Sequence, residues 1–258
     1  MIVRSYEKKG WRQRNAEWVK KAQKLPGQSL FNESKKLRGR ILDLAGEDVK
    51  EVYSTYRVLL EDPKDLLLVE YDKSTWRKAA TTWLDLPEGF RPRLIYNDGY
   101  SLLSALNNRT RQEDTGSLVG AISLDTVNNT GSQWWDKTEI GLFGSRGSVT
   151  LAVEEFGVCV LILNHTLDGR KGLTDSLVRL EDHISRLRSI LGPYNGGYGK
   201  PHRNQLAPSK KRVKELVLGN SEGWWGAIQV YRSEDKLFRM ATIRLHLLPG
   251  RFYIDRGD

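Results

Sequence analysis

A chain of 258 residues, 39% hydrophobic and 28% charged, is long enough to bury its own core and is neither disordered nor collagenous in make-up. Its single cysteine, Cys159, excludes an intrachain disulfide and a four-cysteine zinc site, and its longest apolar run, Phe156 to Leu163, is too short to span a bilayer. A cytoplasmic setting without a membrane is the expectation, and the formal charge of +9 sits entirely on residues 1–40, where twelve Lys and Arg face three acids.

Along the chain, Tyr6 to Lys24 has no Gly or Pro after Gly10 and predicts a basic helix ending at the turn Leu25-Pro26-Gly27. A short basic helix, Asn32 to Leu37, is expected next. Strand-type apolar runs then alternate with helical segments. Arg40 to Leu44 reads as a strand, Val49 to Leu60 as a helix, Asp65 to Glu70 as a strand and Ser74 to Leu84 as a helix. The pattern continues with Arg93 to Tyr96 as a strand, Tyr100 to Asn107 as a helix and Leu118 to Leu124 as a strand.

In the second half, Ser148 to Phe156 is helical and Val158 to Leu163 is the most apolar strand. A helix over Leu173 to Leu191 has leucines at helical spacing. The Gly/Tyr-rich loop Gly192 to Ala207 and a basic helix starting near Pro208 follow. Trp225 to Tyr231 and Leu237 to Leu248, joined by a polar turn, form an antiparallel hairpin. Wholly apolar strands separated by helices require cover on both faces. The expected architecture is therefore α/β: a Rossmann-like, seven-stranded, mostly parallel sheet with helices on both faces and a C-terminal hairpin. Residues 1–39 form a basic helical N-terminal extension, and 40–258 form the main domain.

In open α/β sheets ligands bind outside the carboxyl ends of the strands. Here those ends share a chemistry. The first strand closes on Asp43-Leu44-Ala45-Gly46, the second on Glu70-Tyr71-Asp72, the third on Asn97-Asp98-Gly99-Tyr100 and the fourth on Asp125-Thr126-Val127-Asn128. The order, the spacing and the closing hairpin resemble the class I S-adenosylmethionine-dependent methyltransferases over residues 40–248. The resemblance implies S-adenosylmethionine as cofactor, with Asp43 and Gly46 at its methionine end, Glu70 on the ribose hydroxyls, Asp98 and Gly99 at the adenine, and Asp125 and Asn128 facing the methyl acceptor. A carboxylate accepting two hydrogen bonds suits a vicinal diol. The same acids also suit helix caps, as Asp72 before Ser74 and Asp98 before Tyr100 would be.

The basic segment, with Arg4, Lys8, Lys9, Arg12, Arg14, Lys20 and Lys21, reads as an electrostatic footprint for RNA or DNA. Tyr194 and Tyr198, among the glycines of the 192–207 loop, read as an acceptor-binding lid. His165 is placed just after the fifth strand, and Trp134-Trp135 in the loop after the fourth. The histidines lack metal-ligand spacing, and no hydrolase or P-loop motif occurs. Methyl transfer to nucleic acid is the leading functional expectation. A catalytically degenerate methyltransferase fold that binds nucleic acid as an assembly subunit is the alternative.

Overall fold

Ile41, Leu42, the run Leu66 to Val69, Ile122 and the run Val158 to Leu163 are almost without solvent contact, as strands covered on both faces must be. The computed structural model describes residues 5–44, 46–97, 102–103, 118–126, 141–143, 147–167, 215–220, 224–232 and 239–249. In it these runs lie in the strands β1 (Arg40–Leu44), β2 (Leu66–Glu70), β4 (Val119–Thr126) and β5 (Cys159–Leu167), and the more exposed β3 (Arg93–Tyr96) pairs with β2. Three further strands, β6 (Glu215–Asn220), β7 (Trp224–Arg232) and β8 (Arg239–Leu247), extend the sheet. The spatial order is β3-β2-β1-β4-β5-β8-β7-β6. Strands β1 to β5 pair in parallel, whereas β8 runs antiparallel to β5 and β7, and β6 antiparallel to β7. The winding reverses between β1 and β4, which makes that crevice the topological switch point.

The β7–β8 pairing is the expected hairpin, but the strand number is corrected. Eight strands are present among the described residues rather than seven, because Glu215–Asn220 pairs along β7. The expected helix Leu173 to Leu191, the 192–207 loop and Trp134-Trp135 lie outside the described residues. Of Tyr100 to Asn107 only Leu102 and Leu103 are described, both helical and buried.

Among the described residues the sheet is covered by the helices α1 (Ser5–Lys21), α2 (Val49–Tyr56), α3 (Lys73–Leu84) and α4 (Ser148–Phe156). None among the described residues is long and apolar enough to cross a membrane. Asp48 and Asp72 cap α2 and α3, accepting from the Glu51 amide at 3.0 Å and the Thr75 amide at 2.8 Å. Helix α4 stops at Gly157, whose φ of 70° is left-handed. A Cβ there would also lie 2.7 Å from the Gly27 carbonyl oxygen, whereas Gly27, with a φ of 72°, has open space around it. Gly27→Ala should therefore cost only the left-handed penalty, about 1–2 kcal/mol, and Gly157→Ala visibly more. Comparing the urea midpoints of the two variants checks this, and equal losses would contradict the crowding.

The reading of residues 1–39 as an extension is also corrected. Ala16, Trp18, Val19, Ala22, Leu30 and Leu37 are buried in the same core as the sheet. The Arg244 Nε of β8 donates to Asn15 Oδ1 at 2.9 Å, and His246 stacks on Trp18 with ring centroids 4.6 Å apart. The expected short helix Asn32 to Leu37 is instead a turn closed by an antiparallel bridge between Phe31 and Leu37. Asn32 stabilises that turn by accepting the Lys36 amide at 2.9 Å.

Candidate functional site

Parallel pairing brings the carboxyl ends of β1 to β5 to one edge of the sheet. Glu70 stands there, 9% exposed. Its Oε1 accepts from the amides of Tyr71 and Asp72, each at 2.9 Å. The chain thus curls around its own carboxylate and fixes it at the strand end. The Asn97 amide donates to the Glu70 carbonyl at 3.2 Å, tying the end of β3 to the end of β2. Tyr71 and Tyr96 rise from these two ends, 62% and 53% exposed.

Asp72, the neighbour with which Glu70 could be confused, is a helix cap. Its bond from the Thr75 backbone amide holds its carboxyl below the usual range. The capping alternative therefore holds for Asp72 and not for Glu70.

After β1 the chain turns on Gly46, whose φ of 60° is one that glycine adopts without strain. The two acids that follow turn toward helices. Glu47 pairs with Lys78 of α3 at 2.7 Å, and Asp48 caps α2. The space above the glycine turn is thereby relieved of their charge.

Asp43 is wholly buried, one residue before the end of β1. In register it sits beside Ser123 of β4, which lies beside Ile162 of β5, which in turn pairs with Arg244 of β8. Burial, and after it the charge of Asp43, push the Tyr56 hydroxyl well above its usual pKa, while Arg12 pulls the other way. Asp43 thus belongs to a polar layer beneath α1 and α2. Arg12 belongs to the same layer, 2% exposed.

The other basic residues divide by position. Helix α1 runs antiparallel to β5, because Asn15 meets Arg244 at the level of Ile162 while Trp18 meets His246 at the level of Val160. Lys20 and Lys21, both exposed, therefore point toward the sheet edge opposite the strand ends. Lys21 lies 5.0 Å over the Trp18 ring. Arg14 is exposed, Lys8 and Lys9 fall within α1, and Arg4 lies outside the described residues.

Asp125 lies in β4, in register with Asn164 of β5. Asn128, Asp98, Gly99, Tyr194 and Tyr198 lie outside the described residues. His165 is corrected from a loop to the strand itself, paired with Thr126. Cys159 is buried, and burial pushes its thiol pKa up, as an inert core thiol requires.

One residue escaped the sequence reading. Asn164 is 4% exposed and its Oδ1 accepts the Thr242 hydroxyl at 3.0 Å. Its signal was the break in the apolar run Val160-Leu161-Ile162-Leu163, which ends on an amide.

No family model and no curated protein matches the sequence. Among solved structures the chain is similar to the O-methyltransferase from Bacillus cereus in complex with SAH, with 10% identity, a TM-score of 0.41 and coverage of 92% of this chain and 90% of that one. It is similar also to the human methyltransferase 10 domain containing protein, with 12% identity, a TM-score of 0.42 and coverage of 94% and 82%. The METTL16 methyltransferase domain aligns at 12% identity and a TM-score of 0.39, over 90% and 80% of the two chains. These are methyltransferases to which the chain is similar; its place in the doubly wound, Rossmann-like class follows from its own strand order.

Proposed function

We propose that this chain is an S-adenosylmethionine-dependent methyltransferase whose acceptor is RNA or DNA. The single observation that carries the reading is Glu70, a nearly buried carboxylate fixed by two backbone amides at the end of β2, beside the switch point. The chemistry of this edge fits a nucleoside cofactor: a preorganised carboxylate for a diol and a glycine turn that permits close backbone approach. When bound, S-adenosylmethionine would supply the electrophilic methyl group. Glu70 would orient the ribose, Gly46 would leave room beside the methionine end, and Asp125 with Asn128 would hold the acceptor in line. Asp98 and Gly99 retain their proposed place at the adenine.

Calorimetry of purified protein with S-adenosylmethionine or its demethylated product tests the reading. Binding is expected, and Glu70→Ala should weaken it by about 1.5–3 kcal/mol, as for a lost hydrogen bond to a charged group. Glu70→Gln, which keeps an oxygen for the two amides, separates loss of binding from loss of fold. Absence of binding to the folded wild-type chain would instead favour the second reading, a degenerate nucleic-acid-binding subunit. The complete burial of Asp43 is the observation on that side.

A further inference from the structure

Of the basic residues in the first forty, Arg12 is buried, and Lys20 and Lys21 lie toward the sheet edge opposite the strand ends. A different surface has the right chemistry. Lys73, Trp76 and Arg77 fall at i, i+3 and i+4 of α3, which places them on one stripe of that helix. Lys73 and Arg77 are exposed and Trp76 is half-buried. The stripe faces Tyr96, at the end of β3, with the Trp76 and Tyr96 rings 5.7 Å apart in an edge-on arrangement. Among the described residues β3 is the last strand on its side of the sheet, and Tyr96 at its end is 53% exposed. Asp72, next to Lys73 in the chain, is turned onto the Thr75 amide as a cap, and the next lysine along the helix, Lys78, is paired with Glu47. Two exposed cations, with no ion pair among the described residues, therefore flank two aromatic rings.

We infer that this α3–β3 edge is a binding surface for single-stranded nucleic acid, with bases stacking on Tyr96 and Trp76 and phosphates held by Lys73 and Arg77. Sequence-tolerant recognition of single strands combines these two elements, an aromatic platform and a line of cations. An acidic peptide would use the cations and leave the rings idle. A duplex would hide its base faces from them. The inference rests on the nucleic-acid part of the proposed function, and it is independent of the cofactor.

The test measures binding of the full chain to a fluorescein-labelled twelve-nucleotide oligouridine across a range of salt. Trp76→Ala with Tyr96→Ala should lower affinity by about tenfold or more, within the range measured for lost base stacking, at an unchanged salt slope. Trp76→Phe with Tyr96→Phe should restore most of it, which a misfolded surface would not. Lys73→Ala with Arg77→Ala should flatten the slope of log affinity against log salt by about 0.7 for each phosphate that is no longer neutralised. Lys20→Ala with Lys21→Ala should change affinity less than twofold. Wild-type affinity in the aromatic variant, or an equal loss of binding to polyglutamate, would overturn the proposal. Calorimetry with S-adenosylmethionine on the same variants keeps the two readings apart: the aromatic variant should bind it as the wild type does, and a wild type that binds oligouridine but no cofactor sinks only the enzymatic reading.

Discussion

Replacing Asn15 by alanine should destabilise the protein by about 3 kcal/mol, at the upper end for a hydrogen bond to a charged group. Arg244 is 2% exposed and Asn15 fully buried, so the guanidinium Nε that donates to Asn15 Oδ1 has no solvent to turn to when the acceptor is removed. A buried cation deprived of an acceptor is more costly than the mean value of the bond, since its desolvation remains uncompensated. Chemical denaturation reads the effect directly. Asn15→Asp, which keeps an acceptor oxygen and adds the opposite charge, should recover a large part of the loss. A loss under 1 kcal/mol for the alanine variant would mean that α1 does not depend on this hydrogen bond for its seat.

Acid should weaken the same interface. His246 is pushed down to about 4, first by burial and further by the nearby charge of Lys21, against the opposing effect of its bond to the Trp18 carbonyl. The neutral ring donates its Nε2 proton to that carbonyl at 2.9 Å. In the unfolded chain the ring takes up a proton near pH 6.5, and in the folded chain only near pH 4. Between those values the unfolded state holds more protons, so stability falls as pH falls. The gap corresponds to about 3 kcal/mol at roughly 1.4 kcal/mol for each pH unit, fully present above pH 6.5 and lost by pH 4. Carboxylates titrate in the lower part of this range, so the measurement is the difference between wild type and His246→Phe, which keeps a ring against Trp18. The wild type should lose more stability than the variant between pH 6.5 and 4. Parallel curves would show that His246 is not buried as a neutral ring.

Much of the sheet was legible in the sequence because strands covered on both faces are apolar throughout. Arg40 to Leu44 and Arg93 to Tyr96 have the bounds that their composition suggests. Glu70 was legible as a strand-end acid, although only geometry separates it from Asp72, since ligand carboxylates and helix caps share a residue type. Strand β6 was hidden because Glu215 to Asn220 is short and follows a basic stretch without strand character. The first forty residues misled for a different reason. A sum of formal charges counts Arg12 as surface, yet Arg12, Asn15, Ala16, Trp18, Val19 and Ala22 recur at helical spacing and form one buried face. That face mixes polar with apolar side chains because the sheet beneath it presents Asp43, Ser123, Arg244 and His246, and a polar partner on another element cannot be read from a local pattern.

The seating of α1 on β8 also bears on how the chain is made. Asn15 finds Arg244, and Trp18 finds His246, across 229 and 228 positions of sequence. Pairings of such separation cannot form on a ribosome until β8 has emerged, by which time synthesis at roughly 5–20 residues per second has left α1 waiting for ten seconds or more. Throughout that interval α1 lacks its partners on β8, while α2 and β5, which it also touches, are already made. The seat of α1 is thus completed only when β8 arrives, and this helix stays open to chaperones and proteases on that side until then.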